Sequence, residues 1–294
     1  MASQSASVHS LVRALRPTMD SSILAHRLKP EEKLQFEEEG YLVVPDAVPS
    51  SVVDELSIAA DRIARAEQLS QGLEAHARLN VNDTIGKENS LLKLIDWPAT
   101  FLKVVEIMGT NIQLFHTQLL YTPPVPAELW QDKPDRGWHR DNNSMNWDFE
   151  TEVHPRVSLK VLYFLSDARV QNSANLFIVP RSHKWLRSEL SYGAHGDPPG
   201  AMPVSVAPGS ALFFDRRMWH AASENRSQVT RKILVYGYSY RWLRPKCAMN
   251  VEHLFERCDP IQRQLLCAST AQGSYFDPSD RDVPLRVWVR ENLH

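Results

Sequence analysis

In Gly137-Trp138-His139-Arg140-Asp141-Asn142-Asn143-Ser144 an imidazole and a carboxylate stand two residues apart. On extended backbone, positions i and i+2 point the same way, so both side chains can reach one metal ion from one short piece of chain. A His-x-Asp pair also arises by chance, and a second copy stands at His195-Gly196-Asp197. Partners elsewhere in the chain must choose between them. A mononuclear non-haem Fe(II) centre takes two His and one carboxylate on one face of the metal and keeps the other face open. His220 lies 79 residues after Asp141, behind a strong strand at Ser210 to Phe214, which leaves room for several strands to cross and return. Arg231 follows just ahead of Lys232-Ile233-Leu234-Val235. A planar guanidinium at a strand start near a metal is suited to a distal carboxylate. The rival pair sits in a Gly/Pro-rich loop with no strand before it, only 23 residues ahead of His220. Alone, His220 reads as a buried histidine bonded to backbone. In order with His139, Asp141 and Arg231 it reads as a third ligand.

The elements that must position these groups change along the chain. Pro30 to Glu39 is expected to be helical, with Pro30 in the first turn and Gly40 as the stop. Tyr41 to Val44 is a short strand. Pro49-Ser50-Ser51 opens a second helix, with Ser51 and Asp54 in a capping-box-like start and Val52, Leu56, Ala59 and Ile63 at helical spacing. Residues 66–96 give no clear pattern. Pro98 to Met108 is a third helix, stopped by Gly109. From Ile112 to Thr122 the pattern alternates, with Ile112, Leu114, His116, Gln118 and Leu120 on one side. Strands are further expected at Val157–Leu165, Asn175–Val179, Val204–Ala207, Ser210–Phe214 and Lys232–Trp242, and helix returns over 250–268. Helices followed by six or more short strands predict a mostly β fold with flanking helices, its core a jelly roll, that is, a double-stranded β-helix of the cupin-like kind. Residues 1–29 are expected to form an N-terminal arm and 30–294 a single domain with a C-terminal helical extension.

Composition narrows the function classes. The 294 residues are 43% hydrophobic and 23% charged, with a net charge of −2 and no long run of one sign. That excludes a nucleic-acid or acidic-membrane footprint. No apolar run approaches the roughly 18 residues of a membrane span. Cys247, Cys258 and Cys267 form no Cys-x-x-Cys pair, which favours neither a disulfide framework nor a zinc-thiolate site. The default is a reducing cytoplasmic setting. Oligomeric state is not readable.

The chain resembles the phytanoyl-CoA dioxygenase family of Fe(II)/2-oxoglutarate-dependent oxygenases over about residues 32–245. Four blocks carry the resemblance: Phe36 to Val44, Trp138-His139-Arg140-Asp141, the segments Leu165–Ala168 and Asn172–Lys184, and His220 through Ser227 to Arg231. Ser173 and Arg181 stand where the family has glycines, in a turn. The resemblance implies His139, Asp141 and His220 as catalytic iron ligands, and Arg231, assisted by Ser227, on the C5 carboxylate of 2-oxoglutarate. It also implies Gln118 and Lys160 near that co-substrate. His183 of the same block reads as structural. The implied cofactors are Fe(II), 2-oxoglutarate and O2. With Asp141 present, hydroxylation is expected over halogenation, and desaturation or oxidative cyclisation remain open.

The substrate is the least legible part. Trp138, Asn142, Asn143 and Trp147 flank the motif, and Tyr121 ends a strand, so rings beside amides are candidates to hold a small molecule. The alternative is that Trp138 and Trp147 only cap the barrel. No basic cluster is dedicated to coenzyme A phosphates, so a specialised metabolite is the expected substrate class. The competing readings are a non-catalytic jelly-roll binding protein and a hydroxylase of an acyl-CoA or a peptide.

Overall fold

The computed structural model describes residues 19, 21–130, 136–149, 151, 154–193, 196–268 and 275–293. Helix α1 (Pro30–Glu39) starts on proline and ends at Gly40, whose φ of +83° a side chain would strain. A Cβ there would also meet His183 Nδ1 at 2.5 Å, so both conformation and space require glycine. Strand β1 (Tyr41–Val44) leads into α2 (Ser50–Gln71). The expected capping box at its start does not form, because the helix begins two residues earlier than a Ser51 cap requires, capped by Pro49 without a side-chain bond. Its buried stripe is Val53, Leu56, Ala59, Ala60, Ile63 and Ala64. The unpatterned stretch that follows contains strand β2 (Leu79–Asn82), before α3 (Pro98–Met108).

The long strand β3 (Ile112–Thr122) pairs with β9 (Arg231–Tyr240), which pairs with β4 (Ser158–Phe164). With β7 (Ala211–Asp215) they form a six-stranded antiparallel sheet in the order β1-β7-β4-β9-β3-β2. A second sheet has the order β6-β5-β8, from β5 (Leu176–Ile178), β6 (Met202–Pro203) and β8 (His220–Ala222). The strand expected at Val204–Ala207 is not there. Pairing is confined to Met202–Pro203, and Val204 and Val206 are buried from irregular backbone.

Two apolar clusters lie on opposite faces of the large sheet. On one face Leu159, Val161, Tyr163, Phe213, Leu234, Tyr236 and Tyr238 pack against α2 and α3. Each tyrosine hydroxyl there finds a partner: Tyr163 meets Thr100 Oγ1 at 2.7 Å, and Tyr236 and Tyr238 donate to Leu91 O and Ile95 O. On the other face Leu162, Phe164, Leu212, Phe214, Ile233 and Val235 meet Leu176 and Ile178 of the small sheet. That face-to-face closure is the expected jelly roll.

The alternation read along β3 is broken once. The register shifts between Leu114 and His116, a bulge at Phe115. Ile112 and Leu114 therefore join the helix side, as does Leu119, while Leu120 turns to the barrel interior. Past β9 the chain forms α5 (Pro260–Leu265) and α6 (Pro284–Asn292). Between β3 and β4 lies the short α4 (Asn143–Asp148), directly after the His-x-Asp pair. Within the expected arm, Ser21–His26 forms a 3-10 turn that packs on α3 with Ile23 buried. Residues 1–18 lie outside the described ones. Among the described residues no helix is long and apolar enough to cross a membrane.

Candidate metal centre

The backbone clamps the motif at both of its chemical residues. His139 N donates to His220 O and His220 N to His139 O, each at 3.0 Å. That isolated bridge extends the small sheet by one residue, next to β8. Asp141 N donates to Arg216 O at 3.0 Å, and Asn146 Nδ2 donates to Asp141 O at 2.7 Å. Arg216, fully buried, in turn donates to Asn146 Oδ1. Two short segments, distant in sequence, are thus held side by side by main-chain bonds that any residue could make. The side chains remain free for chemistry.

One nitrogen from each imidazole and one carboxylate oxygen fall within 4.8 Å of one another, the sole such His/Cys/Asp/Glu cluster among the described residues. His220 Nε2 stands 3.9 Å from Asp141 Oδ1. Each imidazole is oriented by the carbonyl two residues before it: His139 Nδ1 faces Gly137 O at 2.7 Å, and His220 Nδ1 faces Met218 O at 3.0 Å. A carbonyl only accepts, so each Nδ1 carries the proton and each Nε2 lone pair is turned to the centre. This is the arrangement by which an outer hydrogen bond fixes a metal-ligating tautomer. Burial lowers the His220 pKa to about 4, so its ring is neutral at physiological pH. His139 is exposed and Asp141 and His220 are buried, so the cluster is open on the His139 side.

Asp141 is held ionised. Burial alone would raise its carboxyl, but the Lys160 ammonium, then His220, hold it well below the usual range. Lys160 Nζ lies 2.6 Å from Asp141 Oδ2 as an ion pair, yet no described group donates to that oxygen in hydrogen-bonding geometry. Lys160, implied above as a co-substrate contact, is thus a partner of Asp141 in this structure.

Arg231 is buried on the same interior. Nη1 donates to Ala174 O at 2.6 Å and Nη2 to Thr122 Oγ1 at 3.1 Å, while Nε has no partner. No carboxylate among the described residues pairs with it. Burial, with the charge of Arg78, lowers its pKa to about 9. A buried cation without a counter-ion is a site prepared for an anion. Ser227 is occupied locally: its hydroxyl donates to Asn225 Oδ1 at 2.8 Å and accepts from Val229 N, closing the turn before β9. Gln118 is half-buried opposite Val235, on the interior side of the bulge.

The candidate substrate residues divide. Trp138 Nε1 donates to Asp197 Oδ1 at 3.0 Å, and its indole packs with Val179, Trp219 and Ala221. Asp197 of the rival pair therefore buttresses the motif, and His195 lies outside the described residues. Tyr121 donates to Asp61 Oδ1 at 3.0 Å and packs against the helix-side core. Asn142 carries φ +57° and its carbonyl accepts from Asn146 N, at the start of α4. The side chains of Asn143 and Trp147 lie outside the described ones. His183 faces Glu37 O at 3.1 Å through Nε2, a structural role. Arg181, in a glycine's place, has φ +69° and anchors to Glu39 by its amide and its guanidinium. Sequence reasoning passed over His116, which is almost wholly enclosed and has neither ring nitrogen bonded. Its signal was two polar residues, His116 and Gln118, spaced by two on an apolar stripe.

The description of the phytanoyl-CoA dioxygenase (PhyH) family matches residues 36–233, about two thirds of the sequence. The chain belongs to the phytanoyl-CoA dioxygenase family. It is a non-haem Fe(II)/2-oxoglutarate-dependent dioxygenase by that membership. Among curated proteins, an uncharacterised protein of Mycobacterium tuberculosis is 27% identical over 210 residues, 68% of this chain and 71% of that one. Among solved structures, HygX from Streptomyces hygroscopicus with nickel and 2-oxoglutarate bound has a TM-score of 0.57 at 16% identity, covering 74% of this chain and 90% of its own. The carbocyclase SnoK from nogalamycin biosynthesis has a TM-score of 0.55 at 19% identity, covering 83% and 94%. At these identities the two structures share the fold. The family match spans every block on which the resemblance rested, from Phe36 to the strand that Arg231 opens.

Proposed function

We propose that His139, Asp141 and His220 hold one Fe(II) ion, that Arg231 binds the distal carboxylate of 2-oxoglutarate, and that the enzyme oxidises a small molecule of specialised metabolism. The observation that carries this reading is the pair of Nδ1-to-carbonyl bonds, which turn both Nε2 lone pairs toward an ionised, buried Asp141. The buried Arg231 without a carboxylate partner supports the co-substrate assignment. When bound, iron with 2-oxoglutarate and O2 supplies the oxidation, releasing succinate and CO2 as a substrate C–H bond is attacked.

The chain's own contribution is placement. Main-chain clamps fix the spacing of the ligand residues. Outer carbonyls fix the tautomers. Lys160 holds Asp141 in its charged form. The apolar interior of Leu162, Phe214 and Val235 keeps water from the co-substrate side. Hydroxylation is the outcome we favour, because Asp141 occupies the carboxylate position. The role of SnoK as a carbocyclase of nogalamycin biosynthesis supports a natural-product substrate and keeps oxidative cyclisation as the second reading.

Anaerobic titration of the metal-free protein with Fe(II) and then 2-oxoglutarate tests this. A weak visible charge-transfer band is expected, absent in His139→Ala and Asp141→Ala. An intact protein that gives no band would favour the non-catalytic binding reading.

A further inference from the structure

The two imidazoles of the cluster are oriented by the same kind of bond but supported differently. His220 is buried at the start of β8, and its acceptor, Met218 O, lies two residues before that strand. His139 is exposed. The main-chain bridge to His220 holds its backbone, but its ring takes direction from Gly137 O at 2.7 Å. Gly137 has φ +66°, and glycine is the residue type whose own sterics restrain a peptide least. The direction of that carbonyl is therefore set by the residues on either side of it.

Both of those residues are held by one carboxylate. Asp197 Oδ1 accepts from Trp138 Nε1 at 3.0 Å. The Arg136 guanidinium meets the same group, with Nε 3.0 Å from Oδ1 and 3.2 Å from Oδ2. The small sheet backs each grip. Arg136 lies 4.0 Å over the ring of Phe177 in β5, and the Trp138 indole packs with Val179, Trp219 and Ala221. Asp197 itself stands ahead of β6, and its carbonyl accepts from Gly193 N at 2.9 Å. A buried indole N–H needs an acceptor, and a charged one with a second, ionic partner is hard to displace.

We propose that Asp197 is a positioning residue for His139. By clamping Arg136 and Trp138 it fixes the Gly137 carbonyl, and through that carbonyl the tautomer and direction of the His139 ring. A neutral imidazole carries one proton, and only the Nδ1–H form leaves Nε2 for a metal. The inference rests on the proposed role of His139 as a metal ligand. It adds to that site a group from a Gly/Pro-rich loop, 59 residues past Trp138.

Nitrogen NMR of the metal-free full chain, labelled at histidine and held at pH 8 where an unperturbed imidazole is neutral, reads which ring nitrogen carries the proton. The His139 signals are assigned by their loss in His139→Ala. In the parent both His139 and His220 should be protonated at Nδ1. Asp197→Ala should move a large share of the His139 proton to Nε2 and leave His220 as it was. Ni(II) affinity, measured by chelator competition, should fall about tenfold, the lower end of the range for groups that orient a metal ligand. If Asp197→Ala does not fold, Trp138→Phe, which keeps a ring and removes its N–H, is read by the same criteria. An unchanged His139 tautomer or an unchanged Ni(II) affinity in a folded variant would overturn the proposal and leave Asp197 a structural group. A His220 shift as large as that of His139 would overturn it too, as a general loosening. A parent that takes up no Ni(II) would instead sink the metal reading, and the tautomer comparison on metal-free protein then decides the clamp by itself.

Discussion

Replacing Arg231 by methionine separates its cost to the fold from its use in binding. Burial lowers the guanidinium's pKa from 12.5 to about 9. At 1.36 kcal/mol per pH unit, keeping that charge inside costs the unliganded protein up to about 5 kcal/mol. Against this stand two hydrogen bonds, to Ala174 O and Thr122 Oγ1, whose loss leaves two buried acceptors and costs roughly 2–4 kcal/mol. Methionine fills much of the same volume. The unliganded variant should therefore fall within about 2 kcal/mol of the parent. Co-substrate binding should respond very differently. Removing one partner of a buried charge pair costs about 3–5 kcal/mol, roughly two to four decades in affinity. Thermal unfolding with Ni(II), with and without 2-oxoglutarate, reads both numbers. At a hundredfold excess over the dissociation constant the parent should gain about 2.7 kcal/mol, a rise of roughly 5–10 °C, and Arg231→Met should gain almost nothing. A variant that keeps the 2-oxoglutarate shift removes Arg231 from the site. One that melts more than about 8 °C lower without ligand makes Arg231 a structural residue.

Three further outcomes are expected. Gly237→Ala drives a methyl into the His116 ring and should cost about 1–3 kcal/mol in urea unfolding, with much of the loss recovered in the double variant with His116→Ala; a neutral Gly237→Ala would contradict the close approach of the His116 ring to Gly237. Burial pushes the Asp96 carboxyl up to about 6, with a Gln262 amide as its side-chain hydrogen-bond donor. A raised folded pKa gives a contribution that is complete below the unfolded value near 4 and lost as pH rises through 6, so ionised Asp96 costs up to about 3 kcal/mol at neutral pH. Asp96→Asn should therefore raise the melting temperature at pH 7.5 and change little at pH 4, and equal shifts at both would refute the assignment. Asp215 is fully buried between Arg156 and Arg217, whose guanidiniums hold its carboxyl below the usual range against the effect of burial. That stability is present above the unfolded pKa and lost as pH falls, and Asp215→Asn, which leaves Arg217 without a carboxylate and Arg156 with Glu37 alone, should cost about 3–5 kcal/mol at neutral pH; a loss under 1 kcal/mol would show that solvent already shields Arg217.

That His139, Asp141 and His220 come together was legible in the sequence because few residue types can hold a metal, and their order along the strands restricts the choices further. The jelly roll was legible because one half-buried face per strand imposes alternation, and the first and third helices because Pro and Gly mark their ends. Residues 66–96 gave no pattern, since past the end of α2 at Gln71 they hold only an edge strand of four residues, a four-residue helix and a six-residue 3-10 stretch. Side-chain direction was decided only in three dimensions. One bulge at Phe115 reverses the parity of β3, so His116 enters the barrel interior while Leu114 joins the core under the helices. Trp138 turns to Asp197 and Tyr121 to Asp61, because each found a partly exposed carboxylate acceptor on a segment far away in sequence. Lys160 beside Asp141 is likewise a tertiary result. Local composition determines which groups can do chemistry and which strands carry them; register and bulges determine which of those groups meet.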